Sequence, residues 1–430
     1  MILPYVCHMN QPELLAPAKN LERLKVAITY GANAVYVGGE RYGLRARADN
    51  FTAADLQEGV AFAHRWGAKL YITLNAFLHD EDFAGFPDYC RFLEEIGVDA
   101  AIASDLGVIR EIQRHSSLAV HLSTQASCLN AAAAWLWQRT GVKRLIVGRE
   151  LTIAEAGAIH QKTGMEVEMF THGAMCMAYS GHCTISNFTA GRDSNRGGCI
   201  QSCRIPYFLK TDRKTEETPA SEASVEPITF MSSRDLWGIG QVGEFFRQGI
   251  CSLKIEGRMK SSFYVAIATR VYRRLIDAYA AGEWSEELLE WAGAELRSLP
   301  NRDYFPGSLD NPAGRDSVFH KHYGVNDGTH QYCGMVMETS DSDVFLHIQE
   351  PLSVGDTLEF VPPQGNPLPW RVSELQSVLS EGRSHFRQES VLKLPRTILP
   401  NHGNTLTPFT VIRHPQPTTT PTPDYQLVTQ

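Results

Sequence analysis

The sequence predicts a (β/α)8 barrel followed by a small C-terminal β domain. Within the first 255 residues, a glycine repeatedly ends an amphipathic stretch and a short β-rich run follows, at Gly31, Gly67, Gly97, Gly141, Gly164 and Gly249. Glycine just past a helix adopts the left-handed conformation at low cost, so each repeat reads as a helix end and a buried parallel strand. The runs ELLAPA (13–18) and AVHLSTQA (119–126) bring the strands to eight. This number favours a closed barrel, although an open doubly wound sheet shows the same alternation.

Helix starts support the same alternation. Asn20 precedes a stretch with apolar residues at helical spacing, and Thr52 and Thr152 each stand three residues before an acidic side chain, Asp55 and Glu155. Threonine followed at this spacing by an acidic residue is typical of a capping box. These positions therefore predict three helix N-termini between the predicted strands.

The pattern changes after residue 282. A helix over 286–297 and a turn-rich stretch predict a linker, and alternating apolar runs then predict a small β barrel or sandwich. The predicted organisation is a barrel domain over 1–282 with a polar insertion at 211–227, a linker over 283–329, a β domain over 330–413 and a disordered tail over 414–430.

Composition limits the classes of function. The net charge of −8 argues against a generally basic nucleic-acid-binding surface, while a local basic groove remains compatible with it. The N-terminus shows no basic segment followed by a long apolar one, and no apolar run approaches the ~18 to 20 residues of a membrane span. The sequence therefore predicts a cytoplasmic protein with no membrane partner.

Polar residues near the predicted strand ends are the first candidates for a site, because the carboxyl ends of barrel strands carry the active site. They are Glu13, Glu40, Arg45, Arg47, Asn75, Asp105, Ser123, Gln125, Arg149, Glu150, Glu168, His172, Lys254, Glu256 and Arg258. Lys254 and Glu256 are two residues apart and therefore share one face of the eighth predicted strand. A charge pair on the inward face would serve a site, and a solvated turn is the alternative.

Four of the nine cysteines fall within residues 176–203, after the seventh predicted strand. Cys176, Cys183, Cys199 and Cys203 follow the spacing C-x6-C-x15-C-x3-C, which differs from the short knuckles of common zinc sites. Iron–sulfur ligation by four thiolates tolerates irregular spacing, so this hypothesis is preferred. Structural zinc and an unliganded loop are the alternatives.

Arginines accompany the cysteines. Arg192 and Arg196 lie between the two pairs, and a guanidinium matches a carboxylate or phosphate through two hydrogen bonds. The sequence thus predicts an anionic ligand near the cysteine loop, with a purely structural role for the arginines as the alternative.

The run EMFTHGAMCMAYSGHCTIS (168–186) resembles the signature of the collagenase-like peptidases, the thirty-second family of peptidases of unknown catalytic type. Further likenesses are ELLAPAKNLERLKVAITYGANAVYVGG (13–39), LRARADNFT (44–52), HLSTQA (121–126), GRDSNRGGCIQSCRIPY (191–207) and SLKIEGRMKSSFYVA (252–266). Two positions depart from the family pattern: Lys19 replaces a glycine, and Trp237 replaces a frequent cysteine after SRDL.

The resemblance implies an iron–sulfur enzyme that hydroxylates RNA bases without molecular oxygen. The most similar branch makes 5-hydroxyuridine at the wobble position of tRNA and requires prephenate, and an unidentified electron partner is implied. A [4Fe–4S] cluster would be held by Cys176, Cys183, Cys199 and Cys203. The catalytic candidates are Glu168, His172, Lys254 and Glu256, and the substrate-binding candidates are Arg45, Arg47, Arg192, Arg196 and Arg258.

Three other functions are compatible with the sequence. A ribosomal RNA cytidine hydroxylase belongs to the same family. A true peptidase would use a cysteine thiolate with His172 or His182 as its partner. A non-enzymatic RNA-binding or assembly factor would hold the cluster without modifying RNA.

Overall fold

The computed structural model describes residues 11–44, 50–208, 227–319, 325–373 and 390–416. The chain forms two compact units, one from residues 1–296 with 301–326 and the other from residues 297–300 with 327–430. The predicted insertion over 211–227 and the tail over 414–430 fall almost entirely outside the described residues.

The first unit contains a closed barrel of eight parallel strands. In chain order its strands are β1 (Glu13–Pro17), β2 (Ala34–Val37), β3 (Lys69–Thr73), β4 (Ala100–Ala103), β5 (Ala119–Leu122), β6 (Arg144–Ile146), β7 (Glu166–Ala174) and, after a short strand β8 (Asp235–Trp237), β9 (Ser252–Ile255). Each strand from β1 to β7 pairs with the next, and β9 pairs with both β1 and β7. The predicted (β/α)8 barrel is confirmed, and the open sheet is excluded.

Helices connect the strands. They are α1 (Leu21–Thr29), α2 (Ala53–Arg65), α3 (Phe86–Glu95), α4 (Leu106–His115), α5 (Ala131–Arg139), α6 (Ile153–Thr163), α7 (Ile185–Ala190), α8 (Val242–Arg247), α9 (Ser262–Ala281) and α10 (Glu286–Arg297). The six glycines of the repeated pattern all have positive φ. Asn20 caps α1, and Thr52 and Thr152 form complete capping boxes. The predicted helix boundaries are confirmed at these positions.

Strand β8 lies outside the barrel wall. It pairs antiparallel with the end of β7, and β10 (Tyr304–Phe305) pairs parallel with β8. The stretch 301–326 therefore returns to the barrel unit, although the sequence predicted it as linker.

The barrel interior contains a buried network of charges. Arg144 Nη1 lies 2.6 Å from a Glu13 carboxylate oxygen and 3.3 Å from Glu168 Oε2, and Lys254 Nζ lies 2.9 Å from Glu168 Oε1. The Tyr71 hydroxyl donates to Glu13 at 2.7 Å. Glu168 is fully buried, so its charge is stabilised by two cations rather than by water.

The second unit is an antiparallel β half-barrel with its own core. Its strands are β11 (His330–Thr339), β12 (Asp343–Ile348), β13 (Thr357–Val361), β14 (Leu368–Arg371), β15 (Ser390–Pro395) and β16 (Val411–Pro415), in the spatial order β14-β13-β16-β11-β12-β15. Alternate residues such as Val344, Leu346 and Ile348 point into the core, where Phe360 packs against Trp370. The predicted C-terminal β domain is confirmed.

Candidate active site

A cavity of about 210 Å³ opens at the carboxyl ends of the barrel strands. The four clustered cysteines all line it, although they come from different parts of the 60-residue segment between β7 and β8. Its charged lining residues are Arg149, Arg204, Lys254, Glu256 and Arg258, and its aromatic ones include Tyr36 and Phe170. The fold thus brings the predicted cysteine cluster and the charges of the last strand together.

The first cysteine pair is held by the loop after β6. Glu150 accepts a hydrogen bond from the Ser180 backbone N–H at 2.6 Å, and the Ser180 hydroxyl lies 3.3 Å from the other carboxylate oxygen. Ser180 is buried and has a φ of 48°, a conformation that requires support in a residue with a side chain. A Cβ on Gly148 would lie 2.2 Å from Glu150 Oε2, so glycine leaves room for this contact. Glu150 therefore fixes the segment between Cys176 and Cys183.

The stretch GRDSNR joins the two cysteine pairs to the barrel. The Asn195 side chain donates to the Cys183 carbonyl at 3.1 Å, and its oxygen lies 3.4 Å from the Cys183 backbone nitrogen. Arg196 Nη1 donates to the Phe77 carbonyl at 2.8 Å and pairs with Asp82 at 2.7 Å. This contact lowers the pKa of Asp82 below its ordinary value. The structure therefore uses Arg196 to anchor the loop and does not place it in the cavity lining, where the sequence predicted substrate contact.

The second cysteine pair is supported by hydroxyl groups. The Ser202 hydroxyl lies 2.7 Å from that of Thr189 and 3.3 Å from that of Ser186, and the Ser186 hydroxyl accepts from the Ile200 backbone N–H at 3.3 Å. Tyr207 donates to the Ser202 carbonyl at 2.9 Å. These contacts fix the backbone on both sides of Ser202, between Cys199 and Cys203.

The four thiols are free and accessible to different degrees. Cys176 is exposed, whereas Cys183, Cys199 and Cys203 are partly buried. Burial raises the pKa of Cys203, the Arg204 guanidinium lowers it, and the negative charges of the other three thiolates raise it again. Each of the other three cysteines thus acts electrostatically on Cys203.

The four cysteines match an iron–sulfur cluster in the number and type of ligands. Within the described part of the chain, no three His, Cys, Asp or Glu side chains converge in a way that could hold one metal ion. A [4Fe–4S] cluster has a different requirement, because each of four thiolates binds its own iron. Four free cysteines around one cavity supply that number of ligands.

Lys254, Glu256 and Tyr36 form the polar floor of the cavity. The Tyr36 hydroxyl donates to Glu256 Oε2 at 3.0 Å and lies 3.1 Å from the Ile255 carbonyl. The Lys254 ammonium lies 4.5 Å from the centre of the Tyr36 ring and pairs with Glu168 beneath it. Burial and the Glu256 carboxylate raise the pKa of Tyr36 well above its ordinary value, so the phenol stays protonated and available as a donor.

Two predicted catalytic residues lie outside the cavity lining. Glu168 belongs to the buried network beneath the cavity. It affects the cavity through its ion pair with Lys254, which lines the cavity. His172 is fully buried, with its ring centre 5.4 to 5.7 Å from those of Tyr264, Tyr272 and Tyr304. Burial lowers the pKa of His172 to about 3, so the ring is neutral. The structure gives His172 a packing role.

A β-bulge explains the position of His172. Phe170 pairs with Lys254 and lines the cavity, and simple alternation would also turn His172 inward. The register between β7 and β9 shifts between these two residues, so His172 lies opposite Ile255 rather than Glu256. One extra residue turns the side chain to the other face of the sheet.

Other predicted strand-end residues are distributed as follows. Glu13 begins β1 and therefore lies at the amino end of the barrel, opposite the cavity. Asp105 caps α4 by accepting from the Val108 backbone N–H. Arg192 does not line the cavity, and Arg45 and Arg47 lie outside the described residues. Arg258 lies in the cavity, as predicted, and donates from Nη1 to the Thr73 hydroxyl at 3.2 Å.

A family model and several known proteins match this chain. The model described as Peptidase family U32 matches residues 19–318. This chain belongs to peptidase family U32. The matched segment contains every barrel strand except β1, together with the complete cysteine loop.

U32 relatives differ in the activities that their names state. The tRNA hydroxylation protein P1 of Bacillus subtilis is 41% identical over 367 residues, which cover 83% of this chain and 84% of that protein. The 23S rRNA 5-hydroxycytidine C2501 synthase of Escherichia coli is 39% identical over 267 residues, 62% of this chain and 39% of the relative. A collagenase of Porphyromonas gingivalis is 32% identical over 312 residues, 70% of this chain and 74% of the relative.

Trp237, which stands where the U32 pattern often has a cysteine, packs against another aromatic ring. The Trp237 ring stacks on Tyr304, with ring centres 5.0 Å apart and planes 3° from parallel, and it does not line the cavity. Cys203 does line the cavity, so it is available as the fourth ligand.

One residue of the cavity lining, Tyr36, was not among the candidates from the sequence. Tyr36 belongs to the inward face of β2, and the alternation of AVYV could have indicated it.

The helices of the described chain include none with both the length and the apolar character needed to cross a bilayer.

Substitution Glu150→Ala is expected to loosen the first half of the cysteine loop. The Ser180 amide loses its acceptor in a buried position, a loss that typically costs about 1–3 kcal/mol. Hydrogen exchange measured by mass spectrometry should show faster exchange across residues 176–183. Glu155→Ala, which removes a capping residue of α6 nearby, is the matched control and should leave exchange in this segment unchanged.

Proposed function

We propose that this U32 protein is an RNA-modifying enzyme that converts the wobble uridine of tRNA to 5-hydroxyuridine without molecular oxygen. The observation that carries the proposal is that all four loop cysteines line the charged cavity at the barrel mouth. The name of the Bacillus subtilis relative, with 84% of its length covered, supports the choice of substrate. The proposal includes prephenate as co-substrate and a separate electron partner.

Cys176, Cys183, Cys199 and Cys203 would hold a [4Fe–4S] cluster in the proposed enzyme. Such a cluster supplies one-electron transfer next to the bound base. Glu150 and Asn195 orient the loop that presents the thiols, as their hydrogen bonds to Ser180 and Cys183 indicate. Replacing the C5 hydrogen of uracil by a hydroxyl group is a two-electron oxidation, so an electron acceptor and an oxygen donor are required.

The polar floor of the cavity would act on the uracil ring. Glu256 is the candidate acceptor for the proton that leaves C5, because its carboxylate lines the cavity and is oriented by the Tyr36 hydroxyl. Lys254 supplies positive charge beside it, and its own position is fixed by Glu168. Apolar residues such as Ile102, Ile146 and Phe170 complete the walls and exclude water from the base.

The loop around the cavity offers exposed rings for an extruded nucleotide. Phe188 is 88% exposed, Tyr179 61% and Met177 50%, an unusual concentration of apolar surface on one loop. Enzymes that act on a base take it out of its stack, and unstacked RNA bases bind to aromatic faces. These side chains are therefore the proposed contacts for the anticodon loop.

A peptidase mechanism has less support from the site. A cysteine nucleophile needs a histidine that can accept its proton. One nitrogen of His182 is hydrogen-bonded to the Gln125 carbonyl, and His172 is buried among tyrosines. Within the described residues, neither histidine side chain forms a hydrogen bond with a loop cysteine.

The proposal is tested by nucleoside analysis of tRNA from a strain that lacks the gene. We expect 5-hydroxyuridine and its derivatives to disappear and to return with the wild-type gene on a plasmid. Ribosomal RNA from the same strain should be examined for 5-hydroxycytidine, since the Escherichia coli relative is named for that product. Loss of 5-hydroxycytidine alone would show that the substrate is ribosomal RNA rather than tRNA. Unchanged nucleosides in both RNAs would contradict the proposal.

A further inference from the structure

Arg149 has the properties of an unused anion-binding group. It follows β6, lines the cavity and is half-buried. Its Nε atom is buried and has no hydrogen-bond partner. Among the described residues, Arg149 also forms no ion pair. An unsatisfied buried donor is costly to folding, so its retention calls for an explanation.

The guanidinium is held in place by an aromatic ring. The Arg149 Cζ atom lies 3.8 Å from the centre of the Phe170 ring, which is within the range of a cation–π contact. Phe170 is buried in β7 and itself lines the cavity. The position of the cation is thus fixed by packing, and no acceptor among the described residues uses its hydrogen-bonding capacity.

The other charged groups of the cavity and of the β6–α6 loop have partners of their own. The Glu150 carboxylate is hydrogen-bonded to Ser180, and Glu256 accepts from Tyr36. Lys254 pairs with Glu168, Arg204 donates to the carbonyls of Ser233 and Met175, and Arg258 donates to the Thr73 hydroxyl. Arg149 differs from these three cations, because it forms neither a hydrogen bond nor an ion pair with the described residues.

We propose that Arg149 binds an oxyanion of the ligand, either the carboxylate of a small co-substrate or a phosphate oxygen of RNA. A guanidinium fork matches both groups through paired hydrogen bonds. The cavity that holds the four thiols would thereby keep the anion beside the reacting base. This assignment rests on the proposed function for the choice of probes, and it transfers the predicted anion-binding role from Arg196 to a residue of the β6–α6 loop.

The test compares the binding of two probes to full-length protein purified under nitrogen. Prephenate is titrated calorimetrically, and an anticodon stem-loop RNA is titrated by filter binding at several salt concentrations. The variants are Arg149→Gln and Arg149→Lys, with Arg110→Gln, an exposed arginine of α4 outside the cavity lining, as the control. Thermal unfolding of each variant shows whether it is folded.

For Arg149→Gln we expect affinity for one probe to fall about 10- to 100-fold, the loss that follows from removing a charge-assisted contact. Arg149→Lys should lose less, because it keeps the charge without the fork. A loss confined to prephenate identifies a carboxylate. A loss confined to RNA identifies a phosphate. In that case the slope of log affinity against log salt concentration should fall by the amount that corresponds to about one phosphate contact.

The assignment is overturned if both affinities in Arg149→Gln stay within twofold of those in Arg110→Gln, or if neither probe binds the wild-type protein. Nucleoside analysis decides the proposed function separately. Binding that depends on Arg149 without RNA modification would support the anion site and contradict the hydroxylase. RNA modification together with binding that does not depend on Arg149 would support the hydroxylase and contradict the anion site.

Discussion

Replacing Cys199 with alanine should abolish both the iron–sulfur chromophore and the formation of 5-hydroxyuridine. Cys199 lines the cavity with the other three loop cysteines, and a cluster that loses one of four thiolates loses a covalent attachment. Iron content and visible absorption of the variant, purified under nitrogen, measure the first effect. Nucleoside analysis of tRNA from a deletion strain carrying the variant gene measures the second.

The control for this experiment is Cys251→Ala. Cys251 is a partly buried free thiol immediately before β9, outside the cavity lining, so its loss should leave absorption and modification near wild-type values. A Cys199→Ala protein that is colourless but fully active would contradict the role of the cluster. Such a result would leave the four thiols with a structural role only.

The substitution Glu168→Gln should destabilise the barrel by about 3–5 kcal/mol, because it leaves the buried Lys254 without its counter-ion, while Arg144 keeps Glu13. Glu168 is fully buried between Lys254 and Arg144. The free energy of unfolding in urea measures the effect. Activity should fall as well, since Lys254 would lose the partner that fixes its position in the cavity.

Glu166→Gln is the matched control for the buried network. Glu166 pairs with the same Arg144 at 2.8 Å, but its side chain is 55% exposed. Exposed ion pairs contribute about 0–1 kcal/mol, so this variant should unfold close to the wild type. Equal losses for the two variants would show that burial does not set the strength of this network.

Most of the fold could be predicted because its determinants are local. The glycines that end the barrel helices and the capping residues Thr52 and Thr152 act within a few residues of the chain. Barrel closure is different, since it depends on β9 pairing with β1 and β7 across long stretches of sequence. The sequence indicated closure only through the number of predicted strands, and not through any signal for the pairing of β9 with β1 and β7.

The site was less predictable where side-chain direction depends on tertiary contacts. Period-two alternation placed Lys254 and Glu256 correctly in the cavity, whereas the bulge in β7 turned His172 away. Arg196 stands beside the cysteines in sequence, yet Asp82 engages it. Arg149 is oriented by its contact with the Phe170 ring, and Phe170 belongs to the next strand of the barrel. This contact forms only when the barrel folds.

The most direct test of the account is metal analysis of the protein purified under nitrogen, with iron, acid-labile sulfide and zinc measured per chain. We predict about four irons and about four sulfides per chain, as one [4Fe–4S] cluster requires. Zinc alone, or no metal after attempted reconstitution, would contradict the central claim that the four loop cysteines hold an iron–sulfur cluster.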